Sequence, residues 1–469
     1  MIEIGHYHLA GVAGVGMSGV AQALLAQGCD VSGSDRYCDQ GEDLEVIAKL
    51  RRAGIRFFPQ DGAGLTPQTR GLVVSTAIEK DNPDIVAAQR LGIPVIHRAE
   101  MLGRLAADRR CVAVTGTSGK STVTGMIGWI LDRLGADPTV VNGAVVLNWR
   151  GENAVGNFRG GKSDLWVIEA DESDRSLMQY HPDWAVITNA SIDHFGYDET
   201  VALFRSFTRQ VKKGMVSAFD NTGFFEEFDP KLSASGSTFV ERGVEFNVPV
   251  PGRHNAENAL HAVRLCEKLL IAGVEPALPL SFVQPCDSRC KTGSTCAHDN
   301  HKMLRDIAEA LASFRGIHRR LEKVGEVRGV TVFDDYGHNP AKIEAAWSTL
   351  APHARRIVGV WRPHGFKPLA VMMDELVRMW SAQCRPEDRL LVLPVYDAGG
   401  TADRSIHSGL LVDRLKAAGL PAELVADPAA IPALAASAAR AGDVVLVMGA
   451  RDPGLPALAR RILAGIGAR

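Results

Sequence analysis

The sequence has few cysteines and no long hydrophobic run. Eight of its 469 residues are cysteine, which is too sparse for the disulfide framework of a small secreted protein. No stretch approaches the ~18 uninterrupted apolar residues of a membrane-spanning helix. The first ten residues also lack the cationic and apolar regions of a signal peptide. These features predict a protein that stays in the cytoplasm and has no membrane partner.

A strong charge of either sign is also missing. The chain has 52 Lys and Arg against 54 Asp and Glu, a formal net charge of −2. Because no basic field can hold a phosphate backbone, nucleic acid is excluded as a partner. At about 150 residues per domain the length allows about three domains. We expect small-molecule substrates and a monomer or homodimer.

Apolar strands, Gly-rich turns and helical patterns alternate along the chain. This alternation predicts an α/β protein with mostly parallel sheets covered by helices. A polar, charged stretch at Arg104–Arg110 is interpreted as a linker between the first two blocks. Predicted strands lie at residues 4–10, 111–115, 330–333, 357–360, 390–393 and 444–448, and a further one opens the segment 165–174.

The first Gly-rich turn follows the first predicted strand. Gly14, Gly16 and Gly19 satisfy G-x-G-x-x-G, in which glycines let backbone N–H groups at a helix N-terminus approach a pyrophosphate. Asp35 lies 21 residues after Gly14, where a ribose-binding carboxylate is expected. The pattern leaves an NAD-type dinucleotide, a nucleotide sugar and a purely structural turn open.

The second Gly-rich turn spans residues 116–122. A strict Walker A motif has glycine where this chain has Val114. The shorter run keeps an anion nest of backbone amides, Lys120 for the β- and γ-phosphates and Ser121 as a hydroxyl ligand for Mg²⁺. The sequence therefore predicts a phosphate-binding loop (P-loop) here.

Polar side chains follow two further predicted strands. Carboxylates end the segment Leu165–Asp174, and Asn189, Asp193 and His194 follow the next strand. Parallel strands deliver ligands at their carboxyl ends, hard oxygen ligands suit Mg²⁺, and an imidazole can join a second ion. Each loop alone could be a solvated strand end, but together they predict a metal–nucleotide site beside the P-loop.

Ten segments resemble, in the same order, the Mur ligases, the ATP-dependent amide-forming enzymes of bacterial cell-wall synthesis. The resemblance implies an N-terminal Rossmann-like UDP-sugar domain (1–107), a central P-loop ATPase with a mostly parallel sheet (108–314) and a C-terminal Rossmann-like domain (315–469). The segments are His8–Ala21, Val31–Asp35, Val73–Ile78, Ile93–Leu102, Thr115–Thr122, Glu169–Asp174, Thr188–His194, Pro251–Ala259, His318–Glu326 and Asp334–Pro340.

The resemblance also implies a reaction. It is strongest to those members that join UDP-N-acetylmuramate to L-alanine through an acyl phosphate in peptidoglycan synthesis, and it assigns the first turn to a UDP-sugar diphosphate rather than NAD. One alternative is a paralogue that uses the same chemistry on another carboxylate or amine. Another is a nucleotide-sugar sensor without turnover.

The family's site residues are carried over where the motifs match. Lys120, Glu169, His194, Arg320, Asp335 and His338 would be catalytic. ATP would be held by Gly116, Thr117, Ser118, Gly119, Lys120, Ser121, Thr122, Asn255, Asn258, Arg320 and Asp335. Two Mg²⁺ ions would use Ser121, Glu169 and His194. The UDP-sugar would contact Gly14, Val15, Gly16, Met17, Ser18, Asp35, Ser75, Ala77 and Ile78.

Several positions depart from the family pattern. Ser118 stands where the alanine-adding members have His, and Asn339 replaces the second His of a DDYGHHP-like motif. Gly365 occupies a position where an Arg is expected to anchor the amino acid's carboxylate. Arg362 or Lys367 could substitute, although a guanidinium and an ammonium are not equivalent. The identity of the amine therefore stays open.

A Cys- and His-rich stretch near 285–301 looks inserted relative to the family. Thiolates and imidazoles in a polar loop could bind structural Zn²⁺; the alternative is a flexible insertion with free thiols. The candidate ligands are Cys286, Cys290, Cys296, His298 and His301.

Overall fold

The computed structural model describes residues 2–42, 44–191, 195–219, 221, 223–274, 293–397 and 403–468, with only the backbone at 293–299. The described chain forms two compact units. The first holds residues 1–231, 238–249 and 254–317; the second holds 318–469 together with 232–237 and 250–253.

The helices and strands alternate through most of the chain. The strands are β1 His6–Ala10, β2 Asp30–Ser34, β3 Arg56–Phe58, β4 Thr69–Val74, β5 Val95–His97, β6 Arg110–Thr115, β7 Thr139–Val141, β8 Phe158–Arg159, β9 Leu165–Glu169, β10 Trp184–Ile187, β11 Gly214–Ser217, β12 Lys231–Ser233, β13 Gly236–Glu241, β14 Val244–Val248, β15 Glu322–Val327, β16 Val330–Asp335, β17 Ile357–Arg362, β18 Arg389–Val392, β19 Ala422–Leu424 and β20 Val444–Gly449. The α-helices are α1 Val15–Ala26, α2 Arg36–Asp39, α3 Glu45–Arg52, α4 Pro83–Leu91, α5 Arg98–Ala106, α6 Lys120–Arg133, α7 Tyr197–Thr208, α8 Arg253–Ile271, α9 Gly293–Ala312, α10 Pro340–Leu350, α11 Phe366–Gln383, α12 Ser408–Ala417, α13 Ile431–Ala438 and α14 Leu455–Gly467.

A five-stranded parallel sheet opens the first unit. Its strand order is β3-β2-β1-β4-β5. Strand β1 lies between β2 and β4, so the turn after β1 opens at the point where the strand order reverses. Ligands of open α/β sheets bind at such a point, and the first Gly-rich turn occupies it.

A six-stranded sheet follows in the same unit. Its order is β11-β10-β6-β9-β7-β8, and within the described residues only the short edge strand β8 pairs antiparallel with its neighbour. Strand β6 is buried almost throughout, as expected for a parallel strand covered on both faces. It lies between β9 and β10, which places the P-loop at the switch point of this sheet. A separate three-stranded sheet has the order β12-β13-β14.

The second unit is built on a sheet of order β15-β16-β20-β17-β18-β19. Strand β15 is an antiparallel edge, and the other pairs are parallel. One face is covered by a core in which the rings of Trp347 and Trp380 meet edge to face at 4.9 Å. The carboxyl ends of β16, β17 and β20 share one edge of this sheet.

The α/β architecture and the predicted strands are confirmed, and one local expectation is wrong. The predicted linker is shorter than expected, because α5 ends at Ala106 and β6 begins at Arg110, so that residues 107–109 connect them. The backbone at 293–301 belongs to α9 rather than to a loop. In the described part of the chain, no helix has the length and apolar character needed to cross a membrane.

Candidate active site

The first Gly-rich turn is braced by Asp35. Gly11 has a φ of +72°, which glycine adopts without strain. One oxygen of Asp35 accepts a hydrogen bond from the N–H of Ala13 (2.9 Å) and the other from the N–H of Tyr37 (3.1 Å). Burial raises the pKa of Asp35 above its usual value. One carboxylate oxygen therefore braces the turn and the other caps the N-terminus of α2, roles that the sequence pattern did not predict.

A cavity of about 450 Å³ opens beside this turn. Its far end reaches Glu169, the last residue of β9, together with Asn142, Gly143 and Asp171, which follow strands β7 and β9. The predicted UDP-sugar residues that line it are Gly14, Val15, Gly16, Met17, Asp35, Ser75, Ala77 and Ile78.

Ser18 is the one predicted UDP-sugar residue that does not line the cavity. It is fully buried, its hydroxyl donates to the carbonyl of Val15 (3.1 Å), and it accepts from the amide of Asn157 (2.9 Å). Because Ser18 lies one helical turn inside α1, it faces the neighbouring sheet rather than the cavity.

Arg98, the first residue of α5, also lines the cavity. A Cβ placed on Gly16 would lie 3.2 Å from Arg98 Nη1, so the absence of a side chain at Gly16 makes room for the guanidinium. The Arg98 guanidinium makes no hydrogen bond or ion pair within the described part of the chain, and its charge helps to lower the pKa of Asp171 in the same cavity. Sequence reasoning gave it no role, although it lies within the resembling segment Ile93–Leu102.

The P-loop joins β6 to α6, which begins at Lys120. Gly116 and Gly119 have φ values of +128° and +87°, and a Cβ at these positions would collide with Thr188 and Asn258, respectively. The tight turn therefore needs glycine at both positions for backbone and for space.

The end of β10 braces the P-loop through Ser118. The N–H of Ser118 donates to Asn189 Oδ1 (3.1 Å), while its carbonyl accepts from the Thr188 hydroxyl (2.6 Å) and the Asn189 amide (3.0 Å). Because these contacts use the backbone N–H and carbonyl of residue 118, they do not depend on whether its side chain is Ser or the expected His.

Lys120 lies among acceptors at the mouth of the P-loop. Its Nζ donates to Glu172 Oε2 (2.6 Å) and to the Gly116 carbonyl (3.0 Å), and it lies 3.8 Å from Asp171 Oδ1. Burial raises the pKa of Glu172 although Lys120 opposes the shift. Burial would also raise the pKa of Asp171, but Lys120 and hydrogen bonds from Ser173 lower it overall. Glu172 was missed as an individual residue, although the carboxylate cluster that ends β9 pointed to this segment.

Glu169 ends β9 and provides hard oxygen donors near the P-loop. Its Oε2 accepts a hydrogen bond from the N–H of Gly143 (2.8 Å). Together with the Ser121 hydroxyl at the start of α6, these oxygens fit Mg²⁺. His194 lies outside the described residues. Among the described side chains, no group of three or more His, Cys, Asp or Glu could hold a metal ion.

The two predicted adenine-side asparagines lie on α8. Asn255 and Asn258 are buried, and the Asn258 side chain packs against Gly119 of the P-loop. The structure therefore brings Asn258 to the phosphate loop, while a contact of either residue with adenine stays a prediction.

In the second unit, Asp335 ends β16. Its two oxygens accept from the N–H groups of Leu321 and Gly337, each at 2.7 Å, and burial raises its pKa. Arg320 is exposed and makes no hydrogen bond to the described part of the chain. His338 Nδ1 lies 2.9 Å from the Tyr336 carbonyl.

Arg319, which precedes the predicted Arg320, has a structural role instead. It is buried and donates to the carbonyls of Gly449 and Ala450, and its Nε lies 3.4 Å from Asp334 Oδ1. Burial raises the pKa of Asp334 to about 6 even beside this guanidinium. Arg319 therefore ties β20 to β16.

The residues near the expected anchor of the amino acid's carboxylate have different roles in the structure. Arg362 is already held by Asp452 (2.5 Å) and by the Pro394 carbonyl (3.2 Å), so it is not free to bind a carboxylate. Lys367 is exposed and stays the candidate substitute for the arginine missing at Gly365. Asn339 caps α10, because its Oδ1 accepts the N–H of Lys342 (2.9 Å), a favoured role for asparagine.

The predicted zinc ligands fall largely outside the described residues. Cys286 and Cys290 are not described, and neither are the side chains of Cys296 and His298. The remaining candidate, His301, accepts a hydrogen bond from Arg305 Nε (3.1 Å). The zinc site therefore stays a prediction.

Comparisons with known proteins agree with this architecture. The model for the Mur ligase family catalytic domain matches residues 6–110, the Mur ligase middle domain matches 114–205, and the Mur ligase glutamate ligase domain matches 319–451.

Similar proteins match almost the entire chain. The UDP-N-acetylmuramate–L-alanine ligase of Sinorhizobium fredii (strain NBRC 101917 / NGR234) is 33% identical, covering 95% of this chain and 94% of that protein. The ligase of the same name from Chelativorans sp. (strain BNC1) is 34% identical, covering 95% of both. The crystal structure of UDP-N-acetylmuramate-alanine ligase from Thermotoga maritima has a TM-score of 0.73 at 24% identity, covering 98% of both chains. The chain therefore belongs to the Mur ligase family, as the sequence resemblance indicated.

Proposed function

We propose that this protein joins UDP-N-acetylmuramate to L-alanine at the expense of ATP, in peptidoglycan synthesis. The observation that carries the proposal is the cavity that runs from the first Gly-rich turn to Glu169 and Asp171, next to Lys120. Such a cavity can hold a UDP-sugar with its diphosphate at one end and its carboxylate toward the P-loop. The curated relatives over nearly the full length carry this activity in their names.

The first chemical step is formation of an acyl phosphate. A carboxylate oxygen of the sugar acid attacks the γ-phosphorus of ATP, and the bond to the β-phosphate oxygen breaks so that ADP leaves. Catalysis of such a transfer depends mainly on positioning and on neutralising negative charge. Lys120 and the backbone amides of residues 116–121 would hold the phosphates.

In the second step, the amine of the amino acid attacks the activated carbonyl carbon. The resulting tetrahedral intermediate expels inorganic phosphate, and the nitrogen loses a proton as the amide forms. This route needs no nucleophilic side chain. It does need an active site that excludes water from a hydrolysable acyl phosphate.

Ser121 and Glu169, with His194 for a second ion, are the residues that would hold Mg²⁺. Bound Mg²⁺ would supply positive charge against the phosphates. Asp171, whose pKa is lowered mainly by Lys120 acting against burial, adds a further carboxylate oxygen near this position. The nucleotide roles of Asn255 and Asn258 belong to the same proposal.

The second unit would contribute Arg320 and Asp335 to ATP and His338 to the amino-acid end of the cleft. The exposure of Arg320 leaves its guanidinium available for phosphate oxygens, whereas Arg319 is occupied. The cytoplasmic location and the monomeric or homodimeric state stay predictions.

One observation favours a second candidate, a paralogue with another amine. Gly365 replaces the expected arginine, and Arg362 is already paired with Asp452. Without a cation near Gly365 to bind an α-carboxylate, the site would accept an amine substrate that has no free α-carboxylate. ADP release with an amine other than L-alanine would support this reading.

Lys120→Ala tests the proposed chemistry. We expect ligation, measured as formation of UDP-N-acetylmuramoyl-L-alanine, to be abolished because the point charge on the phosphates is lost. Binding of UDP-N-acetylmuramate should stay within about twofold of the wild type, since Lys120 does not line the cavity. If a folded Lys120→Ala variant lost both ligation and UDP-N-acetylmuramate binding, the assignment of the two turns to different ligands would be contradicted.

A further inference from the structure

Two buried asparagines connect the two Gly-rich turns of the first unit. Asn157 is fully buried. Its Nδ2 donates to the Val15 carbonyl (2.6 Å) and to the Ser18 hydroxyl (2.9 Å), while its Oδ1 accepts from Gln22 Nε2 (3.1 Å). The start of α1, which follows the first turn, is therefore held by a side chain from the neighbouring sheet.

Asn142 holds the second turn in the same way. It directly follows the last registered pair of β7 and β8, Val141 with Phe158, and its N–H donates to the Asn157 carbonyl (2.9 Å). The Asn142 amide donates to the Ser121 carbonyl (3.0 Å) in the first turn of α6. A continuous chain of hydrogen bonds, here named the Asn142–Asn157 bridge, thus links both turns.

The residue after Asn142 extends this connection to the predicted Mg²⁺ ligand. The N–H of Gly143 donates to Glu169 Oε2 (2.8 Å). A Cβ on Gly143 would lie 2.6 Å from Glu169 Oε1, so a side chain there would push the carboxylate away. Asn142 and Gly143 both line the cavity between the turns.

We infer that the Asn142–Asn157 bridge is a positioning element that sets the distance between the carboxylate of the sugar acid and the γ-phosphate of ATP. This inference rests on the proposed function, in which each substrate binds at a different turn. Reacting atoms must lie about 3–3.5 Å apart, and a misplacement of about 1 Å can cost about 100-fold in rate.

The chemistry of the bridge suits this role. A buried amide network with satisfied hydrogen bonds is rigid and specifies one arrangement. Asparagine supplies a donor and an acceptor without charge, whereas aspartate at position 157 would lose both donated bonds. Loosening the bridge should leave each turn able to bind its ligand and should misalign the two ligands.

Kinetics of Asn157→Asp and Asn142→Asp test the bridge at its two ends. We expect kcat to fall at least about tenfold while KM for ATP and for UDP-N-acetylmuramate each changes less than about threefold. Thr139→Val is the matched control, since the buried Thr139 hydroxyl on β7 hydrogen-bonds only Gly161 within the described part of the chain. A loss of kcat no larger than that of the control, or a rise in KM with kcat preserved, would overturn the inference.

Hydrogen exchange gives a second readout that requires no turnover. Adding a non-hydrolysable ATP analogue with Mg²⁺ to the wild type should slow amide exchange at residues 15–18, and this protection should be lost in Asn142→Asp. If the wild-type protein released no ADP, the proposed reaction would be contradicted. The exchange measurement would still show whether the Asn142–Asn157 bridge couples the two turns. Equal protection in both proteins, or none in the wild type, would overturn it.

Discussion

Arg98 illustrates how a single charged side chain can define one end of a binding cavity. It lies over Gly16 of the first turn and lines the cavity with no hydrogen-bonded or ion-paired partner among the described residues. A diphosphate placed against the turn would therefore contact this guanidinium. The planar guanidinium can donate two parallel hydrogen bonds to phosphate oxygens.

Arg98→Ala should weaken UDP-sugar binding selectively. Removing a charge-assisted hydrogen bond costs about 1.5–3 kcal/mol, so we expect KM for UDP-N-acetylmuramate to rise about 10- to 100-fold with KM for ATP unchanged. Arg104→Ala is the control, since Arg104 lies on the same helix but pairs with Glu100 on the surface (2.6 Å). Equal effects of both variants, or an equal rise in both KM values, would contradict the assignment.

His261 is a buried histidine that makes stability depend on pH. Its ring stacks on Phe224 at 4.5 Å, Nδ1 lies 2.8 Å from the Glu257 carbonyl, and burial lowers its pKa to about 4. The folded state therefore keeps the ring neutral, while the unfolded state takes up a proton below its ordinary pKa of 6.5. This contribution to stability is complete above pH 6.5 and is lost as the pH falls toward 4.

We expect the free energy of unfolding of the wild type to fall more steeply than that of His261→Gln between pH 6.5 and pH 4.5. The excess slope should approach ~1.4 kcal/mol per pH unit, measured by urea unfolding of the two proteins across this range. His353→Gln, at an exposed position, should keep the wild-type slope. If His261→Gln also kept the wild-type slope, the claim that His261 is buried in its neutral form would be contradicted.

At the scale of elements, the P-loop depends on close approach between turn and neighbouring strand. Gly116→Ala would place a methyl group against Thr188 at a φ of +128°. We expect ATP binding, measured by calorimetry, to become undetectable because Ser118 loses its support from β10. Gly54→Ala, with a φ of +101° and open space around it, should lose about 1 kcal/mol of stability and keep ATP binding. Normal ATP binding by Gly116→Ala would show that the turn tolerates a side chain.

The elements that carry the site could be predicted from the sequence because their signals are local. The buried run of β6 and the glycines with Lys120 immediately after it mark a strand, a turn and a helix start within a dozen residues. Helix α9 was not predicted at 293–301 because Cys, Ser and His favour loops by composition, while its C-terminal half packs on a core.

The contacts between elements could not be predicted, because they join residues far apart in the chain. Asn157 bonds Val15 across 142 positions, and nothing in the local pattern near either residue signals this. Glu172 was missed for a different reason: four carboxylates lie within residues 169–174, and only the fold selects the one that accepts a hydrogen bond from Lys120.

For the whole molecule, ten ordered segments were more informative than any single motif. The G-x-G-x-x-G pattern alone left a dinucleotide open, and the P-loop alone indicated only a phosphate site. Their combination within one compact unit, with a shared cavity that reaches Glu169, supports a ligase that activates one substrate with ATP. The whole-chain similarity indicates L-alanine as the amine substrate, whereas Gly365 lacks the arginine side chain expected to bind that amino acid's carboxylate.

The most direct measurement is ADP release by the wild-type protein with UDP-N-acetylmuramate and a panel of amino acids. We expect release that requires the sugar acid and is fastest with L-alanine, with glycine or L-serine as weaker acceptors. Release that depends on the sugar acid but only with a different amine would contradict the assignment of L-alanine. No release with any amine, although both nucleotides bind, would contradict the claim that the protein is a working ligase.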